Sequence, residues 1–193
     1  ACAVPVRPPV SPIKGPTTCD VCIQLMDEGL NVLLNEILNG GVVGGCAELC
    51  HFLPSQVLGV ACNLLCDFVG IKEFIKIINH TDPDPIWYCQ ELHACPKVSN
   101  GAVNITSFTI TPPSGPVGAK FTIQCLYTVL NATGPGLVGV DVQGPNIDEG
   151  NDQFLYGDAP GEYNLEFDLT TDSNFTGGSY AVSVAICEGD CEH

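Results

Sequence analysis

Cys19-Asp20-Val21-Cys22 opens a helical pattern near the start of the chain, and a second pair, Cys89 and Cys95, closes it. Between these outer pairs the chain carries two more pairs at i,i+4 spacing: Cys46, Cys50, Cys62 and Cys66. Residues at i and i+4 share one helix face, so two such pairs on facing helices can form nested crosslinks. These crosslinks are Cys46–Cys66 and Cys50–Cys62. Eight cysteines then staple one helical unit.

The cysteine pattern of residues 19–95 resembles the saposin-like family, which has a C-x-x-C opening, a central disulfide in a helical hairpin and a C-x5-C close. The resemblance implies the outer disulfides Cys19–Cys95 and Cys22–Cys89. It also implies a lipid-facing cavity and a clamshell-like opening between two helical halves. One central cysteine pair is extra to the family pattern. It does not forbid opening, because all four bonds fall within the halves.

The predicted helical domain, residues 19–96, contains four or five helices. Thr17 or Thr18 can cap the first helix, whose apolar residues keep a 3.6-residue period until Gly40-Gly41 stops it. Ser55 caps a later one. The apolar stripe of the first helix has two interpretations, a disulfide-supported core and a lipid-facing surface.

From Val103 onward the hydrophobic period switches to two. The alternating segments are Ile105–Ile110, Phe121–Tyr127, Leu137–Val142, Tyr163–Phe167 and Tyr180–Val184. Residues 101–193 are therefore predicted to form an antiparallel, immunoglobulin-like β-sandwich of about seven strands. The predicted fold class is α+β with two domains.

Twelve cysteines in 193 residues are typical of disulfide scaffolds in extracellular or lysosomal-type compartments. The four histidines form no zinc-ligand cluster with them. Cys125 and Cys187 lie on predicted strands, and we expect them to pair with each other. Cys2 and Cys191 then remain, to pair within the chain or across subunits.

Four N-glycosylation sequons agree with secretion. Their acceptor residues are Asn79, Asn104, Asn131 and Asn174. No apolar run reaches the roughly 18 residues of a membrane span. The first residues lack the features of a signal peptide, so we expect a mature, processed form.

The charge is strongly negative, with a formal net charge of −16. Residues 1–18 carry +2, residues 19–95 carry −8 and residues 96–193 carry −10. Such a body repels a phosphate backbone or an anionic membrane at neutral pH. Nucleic-acid binding and cationic membrane lysis are therefore disfavoured.

Sequence motifs of enzymes are missing: there is no Gly-x-Ser-x-Gly elbow, His-Glu-x-x-His helix or phosphate-binding glycine loop. We interpret the protein as non-enzymatic and without a cofactor. An acidic segment offers the Ca²⁺ candidates Asp148, Glu149 and Asp152, but it lacks EF-hand spacing. A solvated turn is the alternative interpretation.

Residues 1–18 form a proline-rich, extended arm with five prolines and two basic residues. The arm residues predicted to make contacts are Val4, Val6, Arg7, Val10, Ile13 and Lys14. Docking of the basic arm on an acidic neighbour predicts self-association, and a head-to-tail contact gives a ring or a filament. We therefore favour a structural subunit of an extracellular assembly. The alternatives are saposin-type lipid binding and a secreted signalling glycoprotein, the latter implied by a resemblance to countin-like secreted proteins of amoebae.

Overall fold

The computed structural model describes residues 17–39, 44–80, 84–189 and 191. Its described residues group into a helical unit, which extends to Lys97 and includes Gly189 and Cys191, and a β unit, Val98–Glu188. Each unit has its own buried core. Gly189 and Cys191 thus group with the helices, although the sequence analysis placed residues 101–193 in the β domain.

The helical unit contains five helices: α1 (Thr18–Asn39), α2 (Cys46–Cys50), α3 (Gln56–Val69), α4 (Ile71–Ile78) and α5 (Pro85–Glu91). A reciprocal capping box starts α1. The Thr17 hydroxyl accepts the Asp20 N–H at 3.3 Å, and the Asp20 carboxylate accepts the Thr17 N–H at 2.8 Å. The core between the helices is aliphatic and aromatic, with Leu25, Leu33 and Phe74 completely buried.

Four disulfides cross this unit. Cys19–Cys95 and Cys22–Cys89 tie the start of α1 to α5 and the residues after it. Cys46–Cys66 and Cys50–Cys62 tie α2 to α3. The Cys19-x-x-Cys22 motif is therefore structural in this fold, since both of its sulfurs have distant partners.

Asp84 links Cys191 to the helices. Its buried carboxylate caps α5 by accepting the Ile86 N–H at 2.7 Å and also accepts the Cys191 N–H at 3.1 Å. One side chain thereby holds residues that are 107 positions apart in sequence.

The β unit contains six strands: β1 (Ala102–Thr111), β2 (Lys120–Asn131), β3 (Gly136–Gln143), β4 (Asp148–Leu155), β5 (Gly161–Thr170) and β6 (Ala181–Glu188). They form two antiparallel three-stranded sheets, ordered β1-β2-β5 and β4-β3-β6. Alternate residues of the central strands are buried, with Ile123, Cys125, Tyr127 and Val129 on β2 and Val138, Val140 and Val142 on β3. The core lies between these two faces.

The described residues contain six strands rather than about seven, and one of them was not predicted as a strand. The sequence predicts a loop at the acidic residues 146–152, yet Asp148–Leu155 pairs along its whole length with β3 as an edge strand. Six of its eight residues are exposed. An edge strand that is polar on both sides shows no apolar alternation, and its charges discourage pairing with another chain.

Candidate functional site

Helix α3 is apolar on its buried face and also on part of its exposed surface. The inner face packs into the core through Leu58, Ala61, Cys62, Leu65 and Cys66. The outer face carries what we call the α3 stripe: Val57, Val60, Leu64 and Phe68, which are 66%, 54%, 68% and 73% exposed. Their i, i+3, i+7, i+11 spacing keeps them on one side of the helix. A surface helix normally places polar residues there, so the stripe is suited to an apolar partner.

The ends of α3 are well defined. The Ser55 hydroxyl accepts the Leu58 N–H at 3.2 Å, and the Gly70 N–H donates to the Cys66 carbonyl at 2.7 Å. Gly70 has φ +85°, a conformation that favours glycine, and it joins α3 directly to α4. Along its 14 residues the helix has a single charged side chain, that of Asp67. Little on α3 opposes contact with an apolar phase.

Two disulfides fix which face of α3 points inward. Cys62 and Cys66 both bond α2, with Cα–Cα distances of 5.6 and 5.7 Å. Crosslinks one helical turn apart prevent the helix from rolling about its axis. The α3 stripe therefore cannot turn into the core without breaking a covalent bond.

A shallow groove of about 390 Å³ runs beside the stripe. It is lined by Val21 of α1 and by residues of α3, among them Val57, Val60 and Leu64. Phe52, in the turn before α3, is 49% exposed as well. The surface thus offers both protruding apolar side chains and a recess between two helices.

The described residues of this surface do not form a metal site. Within the described ranges no three His, Cys, Asp or Glu side chains come together as a metal site. On α4, Lys76 pairs with Glu73 at 2.9 Å on the exposed surface. The chemistry offered by the α3 stripe is contact with apolar groups.

The predicted Cys125–Cys187 disulfide is wrong. Cys125 is a free, buried thiol, and burial raises its pKa, whereas Cys187 and Cys191 are both disulfide-bonded. The cause is strand parity. Cys125 follows the inward alternation of Ile123 and Tyr127, while Cys187 follows the exposed alternation of Ser183 and Ala185. An inward and an outward side chain on different sheets cannot meet.

The Ca²⁺ candidates do not converge. Asp148, Glu149 and Asp152 lie on β4 opposite Gln143, Val142 and Gly139. Alternation along an extended strand points Glu149 to the face opposite the two aspartates. These carboxylates therefore do not enclose a cation, which corrects the prediction of an acidic loop.

All four predicted glycan acceptors are exposed. Asn79 follows α4, Asn104 and Asn131 lie on β1 and β2, and Asn174 lies between β5 and β6. The Asn131 amide donates to the Asn100 carbonyl at 3.1 Å, and a glycosylated amide keeps one N–H for such a bond. Solvent access is the structural requirement for modification, and each acceptor meets it.

The predicted assembly arm lies largely outside the described residues. Val4, Val6, Arg7, Val10, Ile13, Lys14 and Cys2 all fall in residues 1–16. Assembly through this segment therefore stays a prediction from sequence.

Tyr127 makes a buried polar contact within the β unit. Its hydroxyl donates to the Asp158 carboxylate at 2.8 Å, and the Asp158 N–H donates to the Thr133 hydroxyl at 2.9 Å. Burial first, and then the bond to Asp158, raise the pKa of Tyr127 well above its ordinary value. The network links β2 to the segment between β4 and β5 and is structural.

The helical unit and the β unit define a disulfide-rich α+β protein. Residues 17–93 match the Countin N-terminal domain and residues 103–193 the Countin C-terminal domain. Countin-1 and Countin-2 of Dictyostelium discoideum are 36% and 37% identical over 90% of this chain and 70% and 71% of their own, and Countin-3 is 32% identical over 90% and 80%. The chain belongs to the countin family.

Among solved structures, the Pseudomonas fluorescens alkylpurine DNA glycosylase AlkC bound to DNA containing an abasic site analog aligns with 73% of this chain and 48% of its own. The identity is 12% and the TM-score 0.34, which is too low to indicate a shared fold. Separately, none of the helices in the described part of the chain is both long and apolar enough to cross a membrane. Family membership and the disulfides are consistent with a secreted protein.

Proposed function

We propose that this chain is a secreted, non-enzymatic glycoprotein whose helical unit binds lipid through the α3 stripe, as saposin-like units do. The observation that carries the proposal is the stripe itself: four apolar side chains more than half exposed on a helix with one charge. A monomeric protein keeps such surface small unless it has a partner. The covalently fixed orientation of α3 makes this exposure a stable property of the fold.

Charge favours a lipid partner over a second copy of the chain. Residues 19–95 carry −8, so two helical units brought together repel each other. A zwitterionic lipid surface has no net charge to repel the protein. Apolar side chains inserted at the headgroup boundary gain burial without a matching protein surface. The expected lipid is therefore zwitterionic or neutral at pH 7.

The saposin-like interpretation also predicts an opening motion with Gly70 as one hinge. The central disulfides lie between α2 and α3, and the outer ones between α1 and the α5 region. No described disulfide joins the half that contains α2 and α3 to the half that contains α1, α4 and α5. Rotation at Gly70 would then separate the halves without breaking a bond, because glycine tolerates the necessary change in backbone angles.

Secretion and glycosylation form one part of the proposal. Four exposed acceptors and the extensive disulfides support it. Intact mass measured before and after glycosidase treatment tests the modification. We expect at least two of Asn79, Asn104, Asn131 and Asn174 to be occupied, and an unchanged mass would contradict this.

Assembly through residues 1–18 is a second candidate. It is supported by charge, since the arm carries +2 and the rest of the chain −18. A basic segment of this kind would be attracted to the acidic surface of a neighbour. Lipid binding and assembly use different parts of the chain and are tested separately.

The test of lipid binding uses the delipidated full chain and vesicles of phosphatidylcholine. Co-flotation with the vesicles at pH 7 is the expected result. Vesicles containing phosphatidylserine should bind less at pH 7 than at pH 5, because acidification reduces the negative charge of the protein. Failure to float with both vesicle types at both pH values, together with native protein free of lipid by mass spectrometry, would refute the proposal.

A further inference from the structure

The β unit contains a cleft of about 530 Å³ at one end of its two sheets. The cleft lies where β1, β3 and β5 end and where β2 and β6 begin. Its volume falls within the roughly 300–1,000 Å³ that is usual for small-molecule sites. Residues of both sheets line it, so it penetrates between the inner faces.

The lining of this cleft is apolar at depth. Ile123 and Val142, which are 2% and 5% exposed, come from opposite sheets, and Leu169 and Val182 add further aliphatic surface. Among the described residues that line the cleft, none is Asp, Glu, Lys, Arg or His. A charged group held there would have no counter-charge, and its desolvation would be strongly unfavourable.

One wall of the cleft is aromatic. Phe175 and Tyr180 lie 5.6 Å apart between ring centroids, and the Tyr180 hydroxyl donates to the Thr176 carbonyl at 2.6 Å. With its hydroxyl satisfied, Tyr180 presents a ring to the cleft. A Cβ at position 144 would lie 2.1 Å from that ring, so Gly144 is what allows the ring to occupy this position. Local sequence thus maintains the wall.

We propose that this cleft binds the hydrocarbon chain of a neutral single-chain lipid. The aliphatic floor and the aromatic wall match a methylene chain, and the lack of charged lining residues disfavours a buried ionic headgroup. The polar atoms of the lipid would lie near the mouth of the cleft, where the exposed Ser114 and Ser179 contribute to the lining. This site is separate from the α3 stripe and does not depend on it.

The test measures binding of the neutral fluorophore N-phenyl-1-naphthylamine by the full chain. All variants carry Val60→Ser and Leu64→Ser, which weaken the α3 stripe and leave the β unit unchanged. Monolaurin is the competing lipid. Increased emission that monolaurin reverses is expected, and no saturable binding, or binding that monolaurin does not displace, would overturn the proposal.

Variants that narrow the mouth of the cleft test whether the fluorophore binds there. Val117 lines the cleft and is 57% exposed, so Val117→Trp can obstruct the mouth without disturbing the core. The matched control is Leu130→Trp, which starts from 59% exposure and lies outside the cleft. We expect Val117→Trp to weaken binding about tenfold or more, equivalent to about 1.4 kcal/mol, and the control to bind as the parent does. Ser179→Trp provides a second obstruction on another loop.

Equal affinity of the parent and both mouth variants, with folding verified by circular dichroism, would place the fluorophore elsewhere and overturn the inference. So would weakening by Leu130→Trp to the same extent as by Val117→Trp. Since the variants share the weakened α3 stripe, failure here leaves the vesicle experiment unaffected. The two proposals can therefore fail independently.

Discussion

Replacing Leu64 and Phe68 together by serine is expected to release the protein from zwitterionic vesicles. The two side chains are 68% and 73% exposed in the free protein. Complete burial of a leucine or phenylalanine side chain contributes about 1.5–3 kcal/mol, so embedding the exposed part contributes about 1–2 kcal/mol for each. Their loss removes about 2–4 kcal/mol, which lowers the partition coefficient by about 30- to 700-fold.

The assay is flotation with phosphatidylcholine vesicles over a range of lipid concentrations. The matched control is Leu126→Ser with Leu130→Ser, since these β2 residues are 45% and 59% exposed and lie outside the helical unit. The free energy of unfolding of both double variants should lie within about 0.5 kcal/mol of that of the parent, because exposed positions contribute little to stability. A control that loses binding as strongly as the α3 variant, or an α3 variant that binds normally, would refute the reasoning.

Three further outcomes follow from named contacts and from charge. Asp84→Ala should destabilise the helical unit by about 2–4 kcal/mol, because the buried Ile86 N–H and the part-buried Cys191 N–H lose their acceptor. Denaturant unfolding measures this change against Asp67→Ala, which should change the free energy of unfolding by less than about 0.5 kcal/mol. Because the pKa of Tyr127 is raised in the folded protein, the folded state keeps a proton that an unfolded tyrosine loses, and the free energy of unfolding should fall as pH rises above about 10. Unfolding midpoints measured over this pH range should fall less for Tyr127→Phe than for the parent. Deleting residues 1–18 should leave both units folded and abolish oligomers in light scattering; a truncated chain that assembles normally, or a monomeric full chain, would contradict assembly through the arm.

Cysteine spacing carried most of the information about the helical unit. The i,i+4 pairs Cys46/Cys50 and Cys62/Cys66 specify crosslinks between one face of each helix, and the structure contains these bonds. Capping was equally local: Ser55 accepts the Leu58 N–H, as its position before an apolar run predicts. Features set by spacing within one or two helical turns are those that a sequence specifies directly.

Pairing between distant strands was harder to predict. The sequence identifies Cys125 and Cys187 as strand residues, but their predicted disulfide requires both side chains to point to the core. The alternation of the flanking apolar residues already indicates that Cys125 points inward and Cys187 outward. Strand β4 had no such signal, since both of its faces are polar and its identity depends on β3 beside it. The Asp84–Cys191 contact links residues 107 positions apart, and no local pattern encodes it.

The α3 stripe was missed for a more instructive reason. Periodicity identifies a buried helix face by the contrast between apolar and polar sides, and on α3 the apolar residues extend from the buried face onto the exposed surface. A helix that is buried on all sides has the same pattern, so the pattern alone does not predict an exposed apolar surface. Here the cysteines resolve the ambiguity, because Cys62 and Cys66 must point toward α2, so residues on the opposite side must point outward. The disulfides that stabilise the unit thus also determine which apolar residues remain exposed.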